Sequence, residues 1–109
     1  VGELPAIRPL GMWHLSELDS PFARSGGRFG AHQFQEHLSD TRLYVAWFGG
    51  GLRVIDIAEP ALPVEFAHFI PEPVAGQAAP QTNDVDVDER GLVHIIDRNV
   101  GYDILEPTG

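Results

Sequence analysis

The same run of residue types occurs twice along the chain, about 50 residues apart. Leu43-Tyr44-Val45-Ala46-Trp47-Phe48 leads through Gly49-Gly50-Gly51 into Leu52-Arg53-Val54-Ile55-Asp56-Ile57. Further on, Leu92-Val93-His94-Ile95-Ile96-Asp97 leads through Arg98-Asn99-Val100-Gly101 into Tyr102-Asp103-Ile104-Leu105. Each copy is an apolar strand, a Gly-containing turn and a second strand, the signature of a β-hairpin. A third trace lies at the front, where Leu4-Pro5-Ala6-Ile7 resembles Leu62-Pro63-Val64-Glu65. A period of this length built only from short strands restricts the chain to a repeat architecture, and a β-propeller fits it best.

Strand signals surround both hairpins. Residues 1–20 contain one short apolar segment, Ile7 to Leu15, with Pro5, Pro9 and Ser16 at its borders, and Pro9 makes it an edge strand at best. Residues 21–30 are a loop by composition, and residues 71–80, with Pro71, Pro73, Gly76 and Pro80, are another. Residues 31–38 fit two periods. As a strand they put His32, Phe34, Glu36 and Leu38 on one face; as a helix they stack His32 on Glu36. Repeat position favours the strand, because the matching segment Thr82 to Val87 is rich in β-branched residues. Ser39-Asp40-Thr41-Arg42 and Asp88-Glu89-Arg90-Gly91 occupy matching turns.

The expected fold is therefore all-β, about two four-stranded blades of a propeller. Residues 1–20 give an outer strand, 30–70 one full blade, and 81–106 three strands of the next. A propeller needs about four blades to close, and a repeat unit does not bury its faces unaided. The partners expected are the rest of a larger propeller chain or further copies of this one.

Composition narrows the partners further. The formal net charge is −9, all seven basic residues are Arg, and nothing neutralises a row of phosphates, so nucleic acid is not an expected partner. Cysteine is absent, which removes disulfides, thiolate metal sites and cysteine nucleophiles. No apolar run approaches the ~20 residues of a membrane span. The first residue, Val1, looks like a cut end with no signal peptide, and no compartment follows from the chain.

Chemistry-bearing residues are few. His32, Glu36 and His37 form the best metal candidate, since imidazole and carboxylate suit Fe, Cu, Zn or Mn. Positions four apart in a strand lie ~13 Å apart, so the set needs a bend or ligands from another blade. Asn83 and Asp84 open an innermost strand and are candidates for ligand binding in the channel near His32. Asp84, Asp86 and Asp88 alternate as in a calcium loop, but Glu89 stands where that loop needs Gly and Ile95 where it needs Glu. Asp56 and Asp88 read as turn residues, and His68 and His94 as ordinary strand residues. No serine has a Gly-x-Ser-x-Gly setting.

Gly51 to Val64, with its strand ending in Asp56 and its Pro60-Ala61-Leu62-Pro63 turn, resembles the LVIVD repeat. From Gly30 through Leu105, about two-thirds of the chain, the sequence is similar to the C-terminal region of bacterial LVIVD-repeat proteins. Phe69-Ile70-Pro71, Gln81-Thr82-Asn83-Asp84-Val85 and Asp97-Arg98-Asn99 fit the same pattern. The resemblance implies a propeller longer than this chain. That family is more distantly similar to selenium-binding and methanethiol-oxidase propellers, which hold a metal near the central channel. Related sequences show Gly-Pro-His-Asn-x-His-Glu over Gly30 to Glu36; His32 and Glu36 match, Gln35 replaces the second His, and His37 falls on the opposite strand face. Two functions are thus expected: a binding or scaffold propeller, or a metal-dependent, oxidoreductase-like enzyme with its site at the channel.

Overall fold

In the computed structural model, which describes residues 6–38 and 41–108, the fold is all-β. Seven strands run in chain order: β1 (Phe29–Phe34), β2 (Arg42–Phe48), β3 (Leu52–Asp56), β4 (Val64–Phe69), β5 (Thr82–Val87), β6 (Val93–Asp97) and β7 (Gly101–Leu105). Every pairing is antiparallel. β1 to β4 make one four-stranded meander and β5 to β7 a three-stranded one, joined by the single pair Phe48↔Thr82. The whole is a curled antiparallel sheet compatible with part of a propeller, with β1 to β4 as its first blade and β5 to β7 as its second. No helix among the described residues is long and apolar enough to cross a membrane.

The repeat is real in register. A shift of 50 residues carries Leu43↔Ile55 onto Val93↔Leu105 and Ala46↔Leu52 onto Ile96↔Tyr102. Gly51 and Gly101 fall on equivalent turn positions, both at positive φ (73° and 124°). The segment with two possible periods is a strand, β1, which ends at Phe34. Its end is held by Gln35, whose side chain stands in for backbone: Oε1 accepts from the Tyr44 amide (2.9 Å) and Nε2 donates to the Arg42 carbonyl (3.0 Å).

Both faces of the central strands β2 and β3 are covered, which explains the unbroken apolar run of β2, whereas β4 is exposed along its length. Tyr44, Ala46, Leu52 and Val54 point to the second blade and pack on Val85, Val93 and Ile95. Each buried Leu, Val or Ile among them contributes about 1.5–3 kcal/mol. Val45, Trp47 and Ile55 point the other way and are covered by Leu15 and Trp13.

That cover replaces an expected strand. The segment over 1–20 does not form the outer strand of a blade in its described part, residues 6–20; the trace beginning at Leu4 lies partly outside the described residues. Residues 6–16 are irregular and a three-residue 3-10 helix, Glu17–Asp19, follows. Pro9 cannot donate to a ladder, and residues 13–20 instead lie across the first blade's face as a strap. The turn at 39–42 also falls partly outside the described residues, whereas its counterpart forms as expected: Gly91 donates to the Asp88 carbonyl at 2.9 Å.

Candidate functional site

The innermost strands of the two blades, β1 and β5, meet at His32 and Asn83. The His32 ring lies 4.7 Å from the Phe48 ring, and its Nδ1 is 2.5 Å from the Asn83 carbonyl oxygen. A carbonyl only accepts, so Nδ1 carries a proton there and the neutral ring keeps its lone pair on Nε2. The Asn83 side-chain oxygen is buried without a hydrogen-bond partner. Asp84 turns to the far face of β5, where its Oδ1 accepts from the Val85 amide at 2.8 Å. Glu36 and His37 lie beyond the end of β1, both exposed, with His37 Nε2 3.9 Å from Glu36 Oε1. So His32 and Asn83 are brought together, Glu36 and His37 are brought together, and the two pairs are separate. Among the described residues no three His, Asp or Glu side chains form a group that could hold a metal ion. As arranged, His32, Glu36 and His37 share no coordination point.

A second constellation lies on the far face of the second blade, the face turned away from β1 to β4. His94 on β6 is linked on both ring nitrogens. Nε2 lies 2.9 Å from Asp88 Oδ2, and Nδ1 meets the Tyr102 hydroxyl. Asp88 also receives the Arg90 guanidinium (2.7 Å) and the amides of Arg90 and Leu92 (2.8 and 3.1 Å). These bonds, that from His94 first and those from Arg90 next, hold the Asp88 carboxyl well below the usual carboxylate range. An ionised Asp88 accepts from Nε2–H, which leaves Nδ1 of a neutral ring to accept the phenol hydrogen of Tyr102. Carboxylate, imidazole and phenol thus form one hydrogen-bonded line beside a cleft of about 370 Å³, lined also by Asp84, Asp86 and Ile96.

From sequence alone His94 reads as an ordinary strand residue and nothing marks Tyr102. The signal was present once register is known. Tyr102 pairs with Ile96, two positions from His94, so the two side chains are diagonal neighbours on one face.

The same face is open. Ile96, Tyr102 and Ile104 are 47%, 59% and 57% exposed. A shift of 50 residues maps them, with His94, onto Ala46, Leu52, Val54 and Tyr44, the residues by which the first blade packs on the second. The open face of the second blade is therefore the counterpart of the molecule's own inter-blade interface.

No protein-family model, curated protein or solved structure matches the chain.

Proposed function

We propose that this chain is a binding and scaffold segment of a β-propeller, of the kind the LVIVD-like repeat suggests, whose second blade takes a further blade of the same repeat on its open face. One observation supports the reading above all others. The half-buried His94 and the exposed Ile96, Tyr102 and Ile104 are the repeat counterparts of Tyr44, Ala46, Leu52 and Val54, which are already docked inside the molecule. Apolar groups gathered on one exposed face mark an interaction site. The partner's matching surface would present β-branched residues like Val85, Val93 and Ile95. In the metal-dependent alternative, His32 stands apart from Glu36 and His37, so an ion there would need ligands from another blade, and the binding reading needs no such addition.

A tandem chain, with a second copy of residues 21–108 following Gly109, tests this. Docking predicts slowed amide exchange over 101–105 of the first copy and one shared unfolding transition with a raised midpoint. Two independent transitions, with those amides exchanging as fast as in the single chain, would reject the reading.

A further inference from the structure

The two ends of this two-blade unit differ. On the second blade the far face is open. On the first blade the opposite face, built from Leu43, Val45, Trp47 and Ile55, is the repeat counterpart of the surface that receives a blade: Leu43 and Val45 map onto Val93 and Ile95. In this chain that receiving surface is occupied by residues 13–20. Leu15 is buried on Val45, Trp47 and Ile55, and the Trp13 ring stands edge-on to Trp47 with centroids 5.3 Å apart. The strap is pinned at its far end, where Arg53 donates to the Asp19 carbonyl (3.0 Å) and the Ser20 hydroxyl donates to the Gly49 carbonyl (2.8 Å).

We infer that residues 13–20 are an intramolecular cap that competes with a second copy of this chain for the blade-receiving face. The inference rests on the blade-docking reading above. The shape of the site points to a copy as the displaced partner. The open face of one molecule and the strapped face of another are the two halves of an interface that already exists between β1–β4 and β5–β7. The cap is also an imperfect occupant. The Trp47 indole N–H is buried on this side without an acceptor, a cost that a partner sheet offering a carbonyl or hydroxyl would remove. The strap wins because it is tethered. Its effective concentration at the face is that of a short linker, in the millimolar range, far above that of free copies.

With the cap in place, head-to-tail addition of copies is blocked and the receiving end is closed. With it loosened, copies add through the open face of one onto the freed face of the next. The test is Trp13→Ser with Leu15→Ser, which removes the strap's apolar grip and leaves Arg53, Asp19 and Ser20 untouched. Sedimentation velocity should show the variant assembling in a concentration-dependent manner at tens of micromolar, with its β-sheet circular dichroism retained. Added synthetic peptide of residues 6–20 should dissolve the assemblies, and Ile96→Asp in the same variant should prevent them. Three results would overturn the inference: a folded variant that stays monomeric, assembly that Ile96→Asp leaves unchanged, or loss of sheet structure that the peptide does not restore. The last would make the strap simply part of the core. Docking in the tandem chain alongside a monomeric strap variant would refute the cap while leaving the blade-docking reading intact.

Discussion

Arg53 is 1% exposed, yet its guanidinium finds an acceptor for each nitrogen: the Gly50 carbonyl (2.9 Å), Glu65 Oε1 (3.0 Å) and the Asp19 carbonyl (3.0 Å). One side chain thus ties a turn, a neighbouring strand and the strap together. A planar fork with fixed donors suits this better than a lysine ammonium. Arg53→Ala would strand a partly buried carboxylate and two carbonyls and open a cavity. We expect a loss of about 3 kcal/mol in urea unfolding; a loss under 1 kcal/mol would show that water replaces the guanidinium freely. Asp88 makes a different prediction. Its carboxyl is held below the usual range in the folded chain, so its stabilising contribution is fully present above the unfolded value of about 4. The contribution is lost as pH falls from there through the depressed folded value. Asp88→Asn should therefore weaken the chain at pH 7 and shrink the drop in urea midpoint between pH 7 and pH 3. An equal drop in both proteins would refute the role given to Asp88.

Among the elements, the two hairpins carry matching glycines with unequal constraints. Gly51 sits at φ 73°, and a Cβ there would come within 2.4 Å of the Phe69 carbonyl oxygen on the adjacent strand. Gly101 sits at φ 124° with nothing within 4 Å. Gly51→Ala should cost about 3 kcal/mol and Gly101→Ala about 1 kcal/mol, since only the first adds a steric clash to backbone strain. Equal thermal shifts for the two variants would contradict this. Hairpins of this kind were legible in the residues, because apolar runs, turn glycines and a repeated spacing are all local signals. Asp56 was legible for the same reason, and its Oδ1 does accept the Ala58 amide at 2.9 Å. The strap was not legible. Ile7 to Leu15 has strand-like composition, and only the placement of Trp13 beside Trp47 shows that it packs by side chains without pairing by backbone. The line from Asp88 through His94 to Tyr102 was hidden similarly: it spans a turn and a hairpin, and depends on a register that no single residue announces.

At the scale of the molecule, the inter-blade core and the strap leave the far surface of the second blade without cover. That surface is apolar toward Ile96, Tyr102 and Ile104, and acidic toward Asp84, Asp86 and Asp88. Its composition bears on symmetry. Twofold pairing would set this surface against itself and bring the three aspartates of one molecule toward those of the other, six carboxylates between two chains that each carry a net charge of −9. Like charges brought together in a drying contact oppose it. A closed isologous dimer is thereby disfavoured, and what the surface permits is a heterologous contact, which propagates with a direction. The rotation between successive blades, already set inside the molecule by the Tyr44–Val93 core, then decides whether such a series closes on itself or continues.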